Sequence, residues 1–222
     1  MRPLPALDVI RRLALFSSLT DEQARSIAGS VVRRRFKRGD LVVKRGERVD
    51  SLFILLTGRA RVLASNLEGR EVIIASLRPG DYMGEMSLLD NEPQSTTVRV
   101  EVQSDMLVLG HAEFARCLSE SASLSYAVMR GLVRRLRAAN RQIHSLALLD
   151  VSGRVAQVLM DMAEEVDELH LIREKVSRQH LAKVVGASRE MVSRVMKDLE
   201  ERGMIETLEG GAVVLKQHLG GS

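Results

Sequence analysis

The sequence predicts an α+β protein in which an N-terminal β-roll (jelly roll) is followed by a long helix and a C-terminal winged helix-turn-helix. Short apolar runs separated by glycines occupy residues 36–110, a helical apolar repeat extends over 113–149, and two amphipathic helical patterns meet at Gly186. Many short strands with regular turns indicate a sandwich or roll. Two short helices joined at a glycine are typical of a helix-turn-helix. These features predict domains at 1–112, 113–149 and 150–222.

The composition is that of a soluble globular protein. The chain has 222 residues, of which 45% are hydrophobic and 28% are charged, so it is long enough for one or two packed cores. Residues 1–15 lack the apolar core of a signal peptide, and no apolar run is long enough to span a bilayer. We therefore expect a cytoplasmic protein with no membrane partner.

The residue types that carry catalysis or bind metals are scarce or scattered. Cys117 is the only cysteine, which excludes an intrachain disulfide, a cysteine-ligated iron–sulfur cluster and a four-cysteine zinc site. The five histidines have no ligand spacing, and neither a phosphate-binding loop nor a nucleophile elbow occurs. We therefore expect no catalytic residue, no metal and no enzymatic activity.

The predicted roll consists of short apolar runs at 41–43, 52–56, 60–63, 72–74, 98–102 and 106–109. Glycines between these runs supply the turns. Two helical patterns precede the roll, at 6–15 and 21–30, and Thr20 is a plausible N-cap for the second.

An apolar repeat with a period of three to four residues predicts the long helix. Arginines line its flanks, and such a seam with charged shoulders favours coiled-coil pairing with an identical chain. The alternative is a helix that packs on its own domain. Asp150 interrupts the pattern and can cap a new helix, which predicts a hinge at Leu149 and Asp150. The apolar positions of the repeat are Leu124, Val128, Leu132, Leu136, Ile143 and Leu146.

The pattern around Gly186 predicts a helix-turn-helix that presents a charged helix face. Gly186 can adopt a positive φ and end the first helix, and Ser188 can cap the second. An α-helix fits the major groove, where arginine can pair with guanine and glutamate can accept from cytosine. The alternative is an ordinary helical hairpin with a solvated face. The residues predicted to face outward are Arg189, Glu190, Ser193, Arg194 and Lys197.

Charge is concentrated on this element. The net charge is +4, yet the region from Asp150 to the end carries ten Lys and Arg against thirteen Asp and Glu. Between Arg173 and Lys197 the count is seven against two, and a local basic face is what phosphate contact requires. Two short apolar runs, 203–208 and 212–215, flank Gly210 and Gly211 and predict a β-hairpin, the wing of a winged helix.

The order of these parts resembles the cyclic-AMP receptor protein/fumarate–nitrate reduction regulator (CRP/FNR) family of bacterial transcription regulators over essentially the whole chain. The segments at 56–62, 79–85, 149–154 and 188–194 carry the resemblance and read LTGRARV, PGDYMGE, LDVSGR and SREMVSR. The resemblance implies a cyclic-nucleotide-binding type of roll, a homodimer, allosteric control, contact with RNA polymerase and recognition of a TGTGA-like palindrome in double-stranded DNA. Arg189, Glu190 and Arg194 would read bases, and the other predicted DNA contacts are Arg178, Ser188, Ser193 and Lys197.

The resemblance also places an effector pocket in the roll. Relatives that bind cyclic AMP carry Gly-Glu followed by Arg-Ser or Arg-Thr, whereas here Gly84 and Glu85 are followed by Gln94 and Ser95. Glutamine cannot offset the charge of a phosphate. The Thr-Ser pair of such relatives is also replaced, by Ala139 and Asn140. The implied effector residues are Gly84, Glu85, Met86, Ser87, Gln94, Ser95, Thr96, Arg134, Arg135 and Asn140.

These substitutions disfavour cyclic AMP and favour another nucleotide second messenger. Cyclic di-GMP, used by some relatives, is one alternative, and its phosphates would meet Arg134 and Arg135 or the run Arg33, Arg34 and Arg35. A second alternative is that the protein binds a different small molecule. A third is that it needs no effector. Outside this class, the alternatives are an enzyme or an enzyme-regulatory subunit with a cyclic-nucleotide-binding module, and a nucleic-acid protein without sequence specificity.

Overall fold

A computed structural model describes residues 6–17, 19–166 and 169–216. The chain divides into two compact units, one formed by 1–66 with 73–137 and the other by 67–72 with 138–222. Each unit has its own hydrophobic core. Among the described residues, no helix combines the length and apolarity needed to cross a membrane.

The first unit begins with helix α1 (Ala6–Arg12), a short 3-10 helix (Ala14–Phe16) and helix α2 (Asp21–Ser30). Thr20 forms a capping box with Gln23: its Oγ1 accepts from the Gln23 N–H at 3.3 Å, and Gln23 Oε1 accepts from the Thr20 N–H at 3.1 Å. The predicted cap is therefore confirmed.

The roll contains six strands and one short helix. The strand order is β1-β6-β3-β4, with β2 paired to β6 and β5 paired to β3. Helix α3 (Glu85–Asp90) follows β5. The strands are β1 (Val32–Phe36), β2 (Leu41–Val43), β3 (Ser51–Ser65), β4 (Glu71–Leu77), β5 (Tyr82–Met83) and β6 (Thr97–Gly110).

The strands β3 and β6 each unite two of the short runs that the sequence pattern separates. Gly58 does not end β3, because its φ of +91° is part of an irregularity where the pairing with β6 shifts register. A Cβ at this position would lie 2.1 Å from Ser104 Oγ, so the two long strands approach closely only with glycine here.

Arginines of β1 and an aspartate of β6 form an ion-pair cluster on the roll. Asp105 Oδ1 accepts from Arg35 Nε at 2.8 Å, and Oδ2 accepts from Arg33 Nη2 at 2.7 Å. The bonds from Arg35 and then Arg33 lower the pKa of Asp105 from 3.8 to about 2. Two of the three arginines of the 33–35 run therefore have a structural partner within the sheet.

Replacing Asp105 by asparagine is expected to lower the free energy of unfolding near neutral pH by about 1 kcal/mol. The figure is small because both arginines are about half exposed and water screens the pair. Since the folded-state pKa is depressed, the contribution is present above pH about 4 and is lost as pH falls towards about 2. Urea denaturation of both proteins between pH 7 and pH 3 measures it. An equal deficit at both ends of that range would contradict the ion-pair origin.

The structure divides the predicted helix at 113–149 into α4 (His111–Glu120) and α5 (Ala122–Leu148). Ser121 lies between them in extended conformation, and its Oγ accepts from the Leu124 N–H at 3.3 Å, which begins the second helix. Leu124 and Val128 are buried in the core of the first unit. The predicted single seam is therefore wrong in its first half, because those positions face the roll.

The second unit is a helix-turn-helix with a four-stranded sheet of order β7-β8-β10-β9. Asp150 caps α6, with Oδ1 accepting from the Gly153 N–H at 2.7 Å, as predicted. Strands β9 and β10 pair as the predicted hairpin. Strands β7 and β8 were not predicted, because their short segments lack a clear alternation of apolar and polar residues. The elements are α6 (Val151–Met162), β7 (Glu164–Val166), β8 (Leu169–Ile172), α7 (Arg178–Val185), α8 (Arg189–Glu201), β9 (Ile205–Thr207) and β10 (Val213–Leu215).

Candidate nucleic-acid interface and effector pocket

The turn between α7 and α8 has the geometry that its residues predict. Gly186 has a φ of +69° in the left-handed region, which ends α7, and its N–H donates to the Ala182 carbonyl. Ser188 then begins α8, because its Oγ accepts from the Met191 N–H at 3.1 Å. A glycine stop followed directly by a serine cap holds the two helices in a tight turn.

Helix α8 has one buried face and one exposed charged face. Val192, Met196 and Leu199 are buried in the core of the second unit. Ser193 Oγ donates to the Arg189 carbonyl at 2.9 Å, and Lys197 Nζ lies 3.4 Å from Glu201 Oε1. The predicted contacts of this segment are all exposed, as are Met191 and Asp198: Ser188, Arg189, Glu190, Ser193, Arg194 and Lys197.

The carboxylate of Glu190 lies at the N-terminus of α8. A hydrogen bond from its own backbone N–H, followed by one from Ser188, lowers the pKa of Glu190 below its usual value. The positive end of the helix acts in the same direction. Glu190 is therefore a carboxylate at neutral pH, and its oxygens can accept from an amino group on a partner.

A cleft of about 410 Å³ lies beside the start of α8. Its polar lining includes Lys175, Arg178, Arg189 and Thr207. Lys175 and Thr207 were not among the predicted contacts. The wing brings them there: the Gly211 carbonyl accepts from the Val176 N–H at 3.2 Å, which fastens the hairpin turn to the segment before α7. The excess of basic residues between 173 and 197 could have indicated Lys175 as a DNA contact. The position of Thr207 could not be predicted, because the spacing of residues does not show how the wing packs.

Arg178 is partly engaged within this unit. Its Nη2 lies 4.0 Å from Glu200 Oε1, and its side chain is 30% exposed. The ion pair is long, so a phosphate can compete for the guanidinium. Ser177 caps α7 by accepting from the His180 N–H, and Ser177, Arg178 and Gln179 at the start of that helix line the same cleft.

Gly84 and Glu85 form the start of α3 in the first unit. Gly84 has a φ of +93°, and a Cβ there would lie 2.5 Å from the Ser51 carbonyl oxygen. Strand β5 just before it pairs with β3 through Tyr82 opposite Ile54. Glycine is therefore required for the turn that directs the Glu85 side chain inward.

The carboxylate of Glu85 is paired with an arginine of α5. Its side chain is 3% exposed and forms an ion pair with Arg135 Nη1, while Arg135 Nη2 donates to the Tyr82 carbonyl. The guanidinium carbon also lies 4.6 Å from the centre of the Tyr82 ring, a cation–π contact. Burial raises the pKa of Glu85, and the charge of Arg135 opposes that rise. This sequence-distant pairing was not predicted.

Gln94 is buried at 4% exposure, and its amide is turned into the loop. Its Nε2 donates to the Gly84 carbonyl at 3.3 Å and to Ser87 Oγ at 2.9 Å. Ser87 Oγ in turn donates to the Glu92 carbonyl at 2.7 Å. The donors that an incoming phosphate would need at this position are therefore used to hold the loop together.

The structure brings together most of the residues predicted for the pocket. Ser95 Oγ lies 3.8 Å from Met86 Sδ, and both side chains are exposed. Thr96 is half-buried and Arg134 is exposed. Asn140 is exposed on α5 within the residues of the second unit. Its place in the pocket, like the hinge at Leu149 and Asp150, stays a prediction.

The roll with its inward Glu85 and the winged helix-turn-helix with its exposed arginines define a class: a DNA-binding regulator with a ligand-binding domain. Residues 33–121 match the cyclic nucleotide-binding domain family, and residues 153–218 match the Crp-like helix-turn-helix domain family. In the described ranges, no group of three or more His, Cys, Asp or Glu side chains is arranged to hold a metal ion.

Individual relatives agree with both matches. The cAMP-activated global transcriptional regulator Vfr of Pseudomonas aeruginosa is 34% identical over 78% of this chain and 84% of its own length. A CRP-like cAMP-activated global transcriptional regulator of Mycobacterium tuberculosis is 26% identical over 94% of each chain. The solved structure of the c-di-GMP-responsive global regulator CLP of Xanthomonas campestris has a TM-score of 0.74 and 26% identity, and covers 89% of this chain and 100% of that one. The chain belongs to the CRP/FNR family of ligand-responsive transcription regulators.

Proposed function

We propose that this protein is a non-enzymatic, homodimeric regulator that acts in the cytoplasm and reads a TGTGA-like palindrome. The observation that carries the proposal is the exposed surface of α8, where Glu190 and Arg194 lie on the side opposite the buried core and Arg189 is exposed beside them in the first turn. In the major groove, the arginines can donate to guanine O6 and N7, and the Glu190 carboxylate can accept from a cytosine amino group. Two copies related by two-fold symmetry would read two half-sites.

The cleft beside α8 supplies the contacts that position such a helix. Lys175 and Arg178 can each neutralise a phosphate, and the N-terminus of α7, which lines the same cleft, is the end of a helix that attracts anions. These contacts supply affinity without reading sequence, because the phosphate backbone is the same at every base pair. They also make binding depend on salt.

A gel-shift titration tests the proposal directly. The full chain is titrated against a duplex with a palindromic TGTGA-like site and against a scrambled duplex of the same composition. We expect tighter binding to the palindrome, with one dimer per duplex. Equal affinity for both duplexes, with a steep salt dependence, would instead indicate a nucleic-acid protein without sequence specificity.

We further propose that the effector is a nucleotide other than cyclic AMP, with cyclic di-GMP as the first candidate. The buried amide of Gln94 carries no charge, and its N–H groups already donate hydrogen bonds to Gly84 and Ser87. The nearest cationic groups of the pocket are instead on α5, where Arg135 holds Glu85 and Arg134 is exposed. Two arginines on one helix suit a ligand with two phosphates, and the similarity to the c-di-GMP-responsive regulator CLP supports the same choice.

Replacing Gln94 by arginine is expected to raise the affinity for cyclic AMP at least about tenfold, because a charge-assisted bond to the phosphate contributes about 1.5–3 kcal/mol. Isothermal titration calorimetry of wild type and Gln94→Arg with cyclic AMP, cyclic GMP and cyclic di-GMP measures it. The matched control is Gln94→Glu, which loses the same amide but cannot attract a phosphate. Micromolar binding of cyclic AMP by the wild type would contradict the proposal.

The closed ion pair of Glu85 favours a second candidate, a regulator that needs no effector. Arg135 already satisfies the carboxylate and the Tyr82 carbonyl, so the pocket is stable without a ligand. If this candidate is right, the protein binds the palindrome specifically without any nucleotide. Calorimetry then shows no heat of binding for cyclic AMP, cyclic GMP or cyclic di-GMP. In either case an effector acts only through its different affinity for two arrangements of the protein, and the regulator is expected to contact RNA polymerase.

A further inference from the structure

One carboxylate oxygen of Glu200 contacts two of the residues that line the cleft beside the start of α8. Glu200 Oε1 lies 4.0 Å from Arg178 Nη2 and accepts a hydrogen bond from Thr207 Oγ1, and both of these partners line the cleft. Arg178 belongs to α7, Thr207 to β9 and Glu200 to the last turn of α8. A single oxygen therefore joins three elements of the second unit at the edge of the cleft.

Glu200 places a negative charge against a basic surface. Lys175, Arg178 and Arg189 line the cleft, and no acidic residue is among the described residues of its lining. A carboxylate held at the edge of this surface repels a phosphate that enters it. Glu200 therefore opposes the contact with the DNA backbone that the three cations favour.

The pair of Arg178 with Glu200 has the geometry of a contact that can be exchanged. The side chain of Arg178 is 30% exposed and that of Glu200 is 36% exposed, so both charges are accessible to water. Their separation of 4.0 Å is longer than a charge-assisted hydrogen bond. A phosphate in the cleft offers Arg178 a closer, bidentate partner. The hydrogen bond from Thr207 keeps the carboxylate in place when the guanidinium turns away.

We propose that Glu200 is an internal counterion, which Arg178 exchanges for a DNA phosphate when the protein binds. In the free protein Glu200 neutralises Arg178, whereas on DNA the guanidinium contacts the phosphate and the carboxylate is left without its cation. Glu200 therefore lowers the affinity for the DNA backbone and limits non-specific binding, which comes almost entirely from phosphate contacts. The inference rests on the proposed contact between the cleft and the backbone, and adds the residue that limits its strength.

The test uses the full chain with Glu200→Gln, which keeps the shape of the side chain and removes its charge. Gel-shift titrations give the affinity for the palindromic duplex and for the scrambled one. Releasing an exposed ion pair changes affinity by about threefold per subunit, so a dimer gains about tenfold. We expect the same gain on both duplexes, because the phosphates are the same at every base pair. The ratio of the two affinities is expected to stay at its wild-type value.

The salt dependence of binding distinguishes an exchanged counterion from a residue that only supports the fold. Each phosphate that a protein neutralises adds about 0.9 to the slope of log affinity against log salt concentration. In the wild type, the carboxylate that Arg178 leaves behind takes up a cation, which offsets the cation released from the DNA. For the Glu200→Gln dimer we expect a slope steeper by about 1.8, measured between about 50 and 200 mM salt.

Two further proteins separate the exchange from a general effect of charge. Asp161→Asn makes the same change from carboxylate to amide on α6, where Asp161 is exposed and accepts from Gln157 Nε2 at 3.1 Å. Asp161 is not a lining residue of the cleft, so affinity and salt slope are expected to stay near wild type. In an Arg178→Gln background, Glu200→Gln is expected to lose most of its gain, because no guanidinium remains to be released.

The outcomes separate this inference from the proposed function. If Glu200→Gln binds DNA with wild-type affinity and salt slope, or more weakly, Glu200 is not a counterion, whatever the preference for the palindrome. An equal gain with and without Arg178 would also overturn the exchange, since it indicates repulsion alone. Equal wild-type affinity for both duplexes would overturn the sequence specificity and leave the salt test of Glu200 valid. A chain that binds neither duplex would overturn both.

Discussion

Substituting Leu136 by glutamate is expected to convert the protein to monomers and to weaken binding to the palindrome by about 100-fold or more. Leu136 is 61% exposed on α5, in the part of the apolar repeat that we expect to pair with an identical chain. Burying a leucine contributes about 1.5–3 kcal/mol, and each dimer buries two of them. Two glutamates that face each other across the dimer would add like-charge repulsion in place of that burial. A monomer holds only one half-site, so the affinity gained from two linked contacts is lost.

The measurement is sedimentation equilibrium together with a gel shift on the palindromic duplex. Ala138→Glu is the matched control, since Ala138 is exposed on the same helix but lies outside the apolar repeat. This substitution introduces the same charge into the same helix, and the Ala138→Glu protein is expected to remain dimeric. A dimeric Leu136→Glu protein with unchanged DNA affinity would show that the apolar repeat of α5 is not the dimer contact.

Substituting Arg189 by alanine is expected to lower affinity for the palindrome by about 1–3 kcal/mol and to affect the scrambled duplex much less. Arg189 is the first residue of α8, exposed next to the serine cap, and N-terminal residues of a recognition helix reach base edges. A bidentate arginine–guanine pair discriminates against other bases by that amount. The specificity ratio, not the affinity alone, is therefore the quantity that falls.

The ratio is measured by competition gel shifts at one salt concentration. The control is Arg202→Ala. Arg202 follows the end of α8 and lies 3.5 Å from Asp198. Its substitution therefore removes the same charge, but far from the N-terminus of the helix. An Arg189→Ala protein that keeps the wild-type ratio of specific to scrambled affinity would remove Arg189 from the base-reading residues.

Local patterns predicted the elements whose cause is local. The glycine at 186, the caps at Thr20, Asp150 and Ser188, and the hairpin around Gly210 and Gly211 all occur where their residue types suggest. In each case the determining contact joins residues a few positions apart. The break at Ser121 was missed because the same helical period continues on both sides of it.

Longer-range features were predicted less completely. The apolar period of α5 indicates a helix but not which side packs on the roll, because both the buried and the exposed stripe are apolar. Gly58 resembles a strand end in sequence and is instead a close approach to Ser104 on β6. The strands β7 and β8 are stabilised by pairing with each other and with β10 rather than by their own residue pattern.

The same division applies to the candidate sites. Sequence alone determined the charged face of α8 and the departure at Gln94, because both depend on residue type and spacing within one segment. Only the tertiary structure decided that Arg135 closes on Glu85, that the Gln94 amide turns towards Gly84, and that Lys175 and Thr207 share a cleft. The Arg135–Glu85 pair joins side chains 50 positions apart. Such pairs form because burial makes an unpaired charge costly, and the fold determines which opposite charge lies within reach.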